Sequence, residues 1–384
     1  MDKKSIIYLD YAATTPLDPE VFAAMEPWMH EKFANPSSPY TLGHESRKAL
    51  DRARGTIAEH LQCSPQEIVF TSGGTESDNM AIFGVARYAK TGTVLTSAIE
   101  HSAVLEPCEQ LVKDGFDVRV LPVQHNGVID PQTVAQTVTT QTILTSVMLA
   151  NNEIGTIQPV AEIVAAVKAA NPKTIVHTDA CQATGAVAFN TQSLGVDLLT
   201  LNAGKIYGPK GVGLLYVKRG TKLQPLLFGG DQEHGLRAGT ENVAGIVGFA
   251  KAMEVAESRR ESDTARLTLL RDTLINGITH AISGTRLNGD AQQRLPNNVN
   301  VTITGIDGES LLMYLDQVGI QASLGSACTA GSLDPSHVLL ALGHSKEDAR
   351  RSLRISLGRT TTDAEVETLL AVLPTVIKKL RSLH

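Results

Sequence analysis

Lys205 and Asp179 are the two residues whose types and positions most clearly suggest chemistry. Lys205 follows a strand-like apolar run, residues 196–201, and lies in a glycine-rich turn, whereas Asp179 ends an earlier apolar run. A pyridoxal-phosphate enzyme needs an amine for a Schiff base and a carboxylate beside the pyridinium nitrogen. The pair therefore predicts a site for pyridoxal 5'-phosphate.

Cys328 adds a thiol in a run of small residues, 325–332. Such a run predicts an accessible segment, and reactive thiols need exposure. Cys63, Cys108 and Cys181 fall in helical or strand-end settings, where cysteine is usually a small hydrophobic residue. The four cysteines form no CxxC pair, so we expect neither a disulfide framework nor a metal site. Together with the predicted cofactor, Cys328 suggests sulfur chemistry.

Gly74 and Thr75 lie between a predicted strand and a predicted helix. Glycine lets backbone amides approach a phosphate, the helix N-terminus favours negative charge, and a threonine hydroxyl adds a donor. We predict that both residues bind the cofactor's phosphate. An ordinary capped turn would have the same sequence, and this segment alone does not separate the two interpretations.

Four further polar residues occupy predicted strand ends or strands. His101 could lie on the pyridine ring and relay protons, and Asn152 and Gln182 could hydrogen-bond the ring hydroxylate. Arg354, a lone cation in a strand-like run, could bind a substrate carboxylate. Turn capping remains an alternative for Asn152, as does solvent exposure on an edge strand for Arg354.

The elements that must position these residues are strands and helices that alternate between about residues 65 and 220. This alternation is typical of βαβ units in a mainly parallel sheet, and ligands of such sheets collect at the carboxyl ends of the strands. The predicted strands are Ile68–Thr71, 94–97, 118–121, 143–149, 175–178, 197–201 and Gly213–Val217. The sequence thus predicts an α/β fold with a seven-stranded sheet.

After about residue 240 the pattern changes to two long helices, 241–260 and 263–282, followed by a shorter α+β region. Thr362 and Glu365 form a possible capping box at the start of the last helix. We predict a large cofactor-binding domain, 15–257, and a small domain, 1–14 with 258–384, that carries the Cys328 segment.

The composition limits the classes of binding partner that we expect. The 384 residues have a net charge of −6 with both signs interspersed, so we do not expect nucleic-acid binding. No apolar run reaches membrane-spanning length, and the N-terminal run is too short for a signal peptide. These observations predict a cytoplasmic protein whose partners are small molecules or proteins.

The motifs in order resemble the cysteine desulfurases of the IscS and NifS group, which are fold type I pyridoxal-phosphate enzymes of the class V aminotransferase family. The motifs that carry the resemblance are residues 8–16, 75–79, Glu100-His101, 151–155, 205–211, 237–240 and the Cys328 segment. They extend over nearly the whole chain, and such an ordered set is highly specific.

The resemblance implies that L-cysteine is converted to L-alanine while its sulfur becomes a persulfide on Cys328. His101 and Lys205 would move the protons, and Asn35 and Arg354 would hold the substrate carboxylate. The persulfide would pass to an acceptor protein, either an iron–sulfur cluster scaffold or a tRNA-thiolation protein.

The resemblance also implies a homodimer, in which Thr240 reaches the phosphate in the neighbouring subunit. Two positions depart from the family pattern: Gly204 replaces the usual histidine, a phosphate ligand, and Asn202 replaces the usual serine. We therefore expect cofactor affinity to depend more on Thr75, Thr240 and backbone amides, while the Asn202 amide can still donate a hydrogen bond.

Three alternatives remain at this point. The protein could be a selenocysteine lyase or an aminotransferase of the same class, although Cys328 argues against a plain aminotransferase. It could also be a catalytically silent sulfur-relay partner that has lost the cofactor through Gly204. A nicotinamide dehydrogenase is disfavoured, because the glycine-rich run 208–213 leads into a strand and the dinucleotide fingerprint must open a helix.

Overall fold

Strands and helices alternate through the first two thirds of the chain in the computed structural model, which describes residues 6–325 and 334–382. Cys328 lies outside the described residues. The helices are α1 Pro19–Met25, α2 Pro27–His30, α3 Thr41–Leu61, α4 Gly74–Ala89, α5 Ser102–Lys113, α6 Pro131–Thr137, α7 Val160–Ala170, α8 Thr191–Leu194, α9 Val243–Ala281, α10 Gly308–Gln317, α11 His337–Ala341, α12 Lys346–Arg350 and α13 Asp363–Arg381. The strands are β1 Ile7–Tyr8, β2 Ile68–Thr71, β3 Thr93–Ser97, β4 Asp117–Leu121, β5 Thr142–Ser146, β6 Ile175–Asp179, β7 Leu198–Asn202, β8 Gly213–Val217, β9 Thr285–Leu287, β10 Asn298–Ile303, β11 Ile320–Gln321 and β12 Ser352–Ser356.

Seven of the described strands form one sheet in the order β2-β8-β7-β6-β5-β3-β4. β8 runs in the opposite direction to the other six strands of this sheet. The central strands are apolar along most of their length because helices cover both faces of such a sheet. The predicted α/β fold with a mainly parallel seven-stranded sheet is confirmed.

The parallel strands β3, β5, β6 and β7 end at the same edge of the sheet, and β2 ends there too. Gly213 brings the start of α4 to this edge: a Cβ atom on Gly213 would lie 2.6 Å from the carbonyl carbon of Gly73. Only glycine allows the two backbones to come so close. The turn between β2 and α4 is thereby held against β8.

The helices after residue 240 differ from the prediction. Residues 243–281 form one continuous helix, α9, where two helices were expected. Neither proline nor glycine occurs between residues 249 and 276, so nothing in this stretch interrupts the backbone hydrogen bonds of the helix. The first half of α9 packs on the sheet, and its second half packs on β10, β12 and α13 in a separate apolar cluster.

The C-terminal part contains a three-stranded antiparallel sheet, β12-β10-β9, and β1 pairs with β11. The capping box of α13 is confirmed: the Thr362 side chain accepts from the Glu365 amide, and Glu365 accepts from the Thr362 amide. The division into domains 15–257 and 1–14 with 258–384 stays a prediction. Within the described ranges, no helix is long and apolar enough to span a bilayer.

Candidate active site

A cavity of about 460 Å³ opens at the carboxyl edge of the sheet. Most of the predicted site residues line it: Gly74, Thr75, His101, Asn152, Asp179, Gln182, Asn202, Lys205 and Arg354. The set extends from Gly74 to Arg354 in the chain, and the order of the strands brings its members together. The prediction that strand ends carry the chemistry therefore corresponds to one physical cavity.

Lys205 ends the short 3₁₀ turn that follows β7. Its Nζ donates to the carbonyl oxygens of Ala12, at 2.8 Å, and Ala13, at 2.7 Å. Gln182 donates from Nε2 to the same Ala12 oxygen at 2.9 Å. The segment before α1 thus forms one wall of the cavity and holds the lysine amine against it through neutral acceptors.

Asp179 is the last residue of β6, and its side chain is buried at the floor of the cavity. Its Oδ1 accepts a hydrogen bond from the Cys181 amide at 2.8 Å. This hydrogen bond fixes the orientation of the carboxyl group. Asp179 therefore offers an oriented acceptor to a group that enters the cavity.

The N-terminus of α4 forms another wall. Its N-cap, Gly73, provides no side-chain hydrogen bond, so the amides of the first turn are suited to an anionic ligand. A Cβ atom on Gly74 would lie 3.0 Å from the Cys181 Sγ, so a larger residue would crowd this wall. Asn202 accepts from the Gly204 amide through Oδ1 at 3.1 Å, which directs this side chain along the same wall.

His101 is the N-cap of α5, and its Nδ1 accepts from the Ala103 amide at 3.1 Å. Because Nδ1 is the acceptor, the proton of the neutral ring is on Nε2. The ring also lines the cavity. His101 therefore combines a structural role with a place in the site.

Arg354 lies on β12 and is only 1% exposed, so the alternative of an exposed arginine on an edge strand is wrong. Its Nη2 donates to Asp10 Oδ1 at 2.7 Å, and its Nη1 donates to the carbonyl oxygens of Gly325, at 2.7 Å, and Asn152, at 3.2 Å. The burial follows from this set of acceptors, which compensates the charge. Arg354 thus joins the C-terminal sheet to the cavity.

Two of the predicted residues that the structure describes, Asn35 and Thr240, do not line this cavity. Asn35 is exposed, and its Oδ1 accepts from the Ser37 amide at 2.8 Å. Thr240 lines a separate cavity of about 180 Å³ together with Ser72 and Arg237. The resemblance assigns Thr240 to the neighbouring subunit, so that role stays a prediction, as do the roles of Asn35 and of Cys328, which lies outside the described residues.

The prediction missed three acidic side chains of the cavity, of which Asp78 and Glu100 are the most deeply buried. Both lie in motifs that carry the resemblance, yet a polar residue in a turn or early in a helix gives no local sign of burial. Glu153, in the motif 151–155, also lines the cavity and accepts from the Ser336 hydroxyl at 2.6 Å. Among the described residues, no group of three or more histidine, cysteine or acidic side chains is arranged to bind a metal ion.

Comparison with known proteins agrees with the geometry. The model of the family described as "Aminotransferase class-V" matches residues 7–369. The cysteine desulfurase IscS of Dictyoglomus turgidum is 49% identical over 382 residues, which cover 99% of this chain and 96% of the relative.

Solved structures give the same result. A NifS-like protein superposes with a TM-score of 0.92 at 37% identity, over 98% of this chain and 100% of that chain. SspA in complex with cysteine has a TM-score of 0.81 at 37% identity, over 91% of this chain and 98% of that chain.

These matches confirm the resemblance inferred from the motifs and pyridoxal 5'-phosphate as the cofactor of the family. The cavity holds the groups that this cofactor needs: the lysine amine, a buried carboxylate and the uncapped start of a helix. The chain therefore belongs to the aminotransferase class-V family, in the group of the IscS and NifS-like cysteine desulfurases.

Proposed function

We propose that the protein converts L-cysteine to L-alanine and transfers the sulfur, through a persulfide on Cys328, to an acceptor protein. One observation carries the proposal: Lys205, Asp179 and Arg354 line the same cavity, which thus contains an amine, an anionic acceptor and a cation suited to an amino-acid carboxylate. The full-length similarity to IscS proteins supports the same activity.

The residues of the cavity fit pyridoxal 5'-phosphate. Lys205 would bind its aldehyde carbon, and Asp179 would pair with its ring nitrogen. His101 would lie against the ring, and Asn152 and Gln182 would bind its hydroxyl group. When bound, the cofactor supplies an electron sink that stabilises negative charge on the α-carbon of the substrate.

The phosphate would be held by Gly74, Thr75 and Asn202, with Thr240 of a second subunit. Gly204 takes away the histidine donor that the family pattern has at this position. A Cβ atom at Gly204 would meet its nearest neighbours at 3.5 and 3.8 Å, which is ordinary contact. The departure therefore removes a donor without changing the packing of the backbone around it.

The protein's own groups would divide the proton transfers. The Lys205 amine, held by carbonyl acceptors at the cavity wall, would take the proton from the α-carbon of the substrate. His101 carries its proton on Nε2 and would donate or accept at the substrate. Arg354, with Asn35, would orient the substrate through its carboxylate, which requires the guanidinium to exchange some of its present acceptors.

The sulfur step belongs to Cys328, whose role rests on the resemblance. Its thiolate would attack the substrate sulfur, the carbon–sulfur bond would break, and a sulfur–sulfur bond would form on Cys328. The electron pair of the broken bond stays with the substrate β-carbon, which takes up a proton, and return of a proton from Lys205 to the α-carbon then gives L-alanine. The persulfide would then be attacked by a thiol of the acceptor protein, of either the iron–sulfur scaffold or the tRNA-thiolation type.

We also propose that the protein is a homodimer and that it is located in the cytoplasm.

Three variants test this proposal. Lys205→Ala should lose both the absorbance of bound cofactor and sulfide release from L-cysteine. Cys328→Ser should keep the absorbance and lose sulfide release. Cys63→Ser, at a half-buried thiol that does not line the cavity, is the matched control and should keep both. Sulfide release at the wild-type rate by Cys328→Ser would show that another group is the nucleophile.

A further inference from the structure

Three carboxyl groups line the floor of the cavity, although the proposed function uses only one. Asp78 comes from α4, Glu100 from the turn after β3, and Asp179 from β6. Asp78 is 1% exposed and Glu100 is fully buried. Three ionised carboxylates on one floor would repel one another, and the burial of these side chains weakens the solvation that would offset the repulsion.

The hydrogen bonds of the three groups differ. Asp179 accepts from a backbone amide, as described above. Asp78 Oδ1 and Glu100 Oε2 are both buried and have no hydrogen-bond partner. The other oxygen of Glu100, Oε1, accepts from Ser97 Oγ at 2.5 Å and from the Met148 amide at 2.8 Å. Burying an ionised carboxylate oxygen without a hydrogen-bond donor costs much free energy. Burying a protonated carboxyl group costs less, because that group carries no charge.

Neither Asp78 nor Glu100 forms an ion pair with a lysine or arginine among the described residues. Asp78 does lie close to a histidine, His177, whose Nε2 is 3.6 Å from Oδ1. His177 hydrogen-bonds Ser146 Oγ at 2.8 Å and Thr200 Oγ1 at 3.1 Å, and both partners are hydroxyl groups. Burial lowers the pKa of His177 to about 4, so the ring is neutral and gives Asp78 no compensating charge.

We propose that Asp78 and Glu100 both keep their protons at neutral pH. Their protonation confines the negative charge of the cavity floor to the carboxylate of Asp179. The part of this inference that concerns the ring nitrogen of the cofactor rests on the proposed function. If Asp78 were ionised and Asp179 protonated, the floor would have the same net charge, but the charge would not be on the carboxyl group that is assigned to the ring nitrogen.

Electrostatics support this arrangement. Burial, and then the charge of Asp179, raise the pKa of Asp78 well above its usual range. Burial raises the pKa of Glu100 to about 8, against the lowering effect of its two hydrogen bonds. The other titratable or charged groups that face the floor or line the cavity are His177, Asp179, Cys181, His101, Lys205, Glu153, His337 and Arg354.

Infrared spectroscopy of the full-length protein at pH 7 tests the inference directly, because a protonated carboxyl group has a C=O stretching band that a carboxylate lacks. Asp78→Asn and Glu100→Gln should each remove intensity from the protonated band and none from the carboxylate bands. Asp179→Asn is the matched control and should remove carboxylate intensity only. Loss of carboxylate intensity in Asp78→Asn or Glu100→Gln would overturn the assignment of that residue.

Proton release on unfolding is a second measurement, and it needs no variant that folds. At pH 7 the folded protein holds protons on Asp78 and Glu100 that the unfolded chain, with carboxyl pKa values near 4, gives up. Stability from Glu100 is therefore present at low pH and is lost as pH rises from about 4 to about 8, and the raised pKa of Asp78 acts in the same direction. His177 and His344, whose pKa values are lowered by burial, have the opposite effect and take up protons on unfolding; for His177 this uptake is about half complete at pH 6.5 and small by about pH 7.5.

Denaturant unfolding of wild-type protein between pH 6.5 and 7.5 should release close to two protons from this pair. Release of none would overturn the inference. The role of Asp179 is tested separately: Asp179→Asn should make the absorbance of bound cofactor depend on pH near neutrality. Suppose that the absorbance of Asp179→Asn is independent of pH but the infrared spectra show protonated Asp78 and Glu100. The proposed positioning of charge at Asp179 is then wrong, while the two protonation states are confirmed.

Discussion

The buried ion pair between Arg54 and Glu233 provides a sharp prediction for stability. Arg54 on α3 donates from Nη1 to Glu233 Oε2 at 2.8 Å and from Nη2 to Oε1 at 2.7 Å. The Arg54 side chain is 10% exposed and the Glu233 side chain 3%. Glu233 also accepts from the Phe70 amide on β2 at 2.8 Å. One carboxylate thus ties α3 and the sheet to the segment just before the motif 237–240.

Glu233→Ala should lower the free energy of unfolding by about 3–5 kcal/mol, because it leaves the Arg54 charge buried and unpaired. The remaining acceptor of Arg54 is the Ile68 carbonyl oxygen at 2.6 Å, which carries no full charge. The measurement is denaturant unfolding of the full-length protein at neutral pH. Replacing both partners, as Arg54→Met with Glu233→Met, should recover most of the loss, since no charge then remains to be desolvated.

Arg119→Ala is the matched control. Arg119 forms an ion pair with Asp117 at 2.8 Å, but both side chains are about half exposed. Water solvates either charge alone, so this variant should cost less than about 1 kcal/mol. The reasoning is refuted if Glu233→Ala costs no more than Arg119→Ala, or if the double methionine variant is less stable than Glu233→Ala.

Two further predictions concern binding and helix capping. Arg354→Lys should raise the KM for L-cysteine by roughly 10–100-fold, because lysine lacks the planar fork of donors that fits a carboxylate. The absorbance of bound cofactor should stay unchanged. An unchanged KM in steady-state kinetics would mean that the substrate carboxylate binds elsewhere. Thr362→Ala should cost about 1 kcal/mol of unfolding free energy, because it removes the side-chain acceptor of the Glu365 amide. Thr362→Ser keeps that acceptor and should stay near wild type, and equal losses for both variants in denaturant unfolding would contradict a capping role.

Much of the fold could be read from the sequence because it depends on local patterns. β-Branched apolar runs predicted the strands of the large sheet within one or two residues in most cases, although β5 ends at Ser146, before the predicted residue 149. The capping box at Thr362 and Glu365 is equally local. The continuity of α9 was missed, because the polar stretch near residues 261–263 looked like a boundary and the packing of both halves of the helix was not visible.

The sequence by itself determined which chemical groups are available and that they follow strand ends, since residue type and periodicity are properties of short segments. Only the tertiary structure decided which charges meet. Arg354 and Asp10 are 344 residues apart in the chain and form an ion pair in which the arginine is buried, and no local pattern could predict this contact. Asp78 and Glu100 looked like ordinary polar residues, and their burial beside Asp179 depends on the order of strands in the sheet. The free energy of a charged group depends on its access to water and on the polar groups around it. In this cavity both are determined by residues that are far apart in the chain.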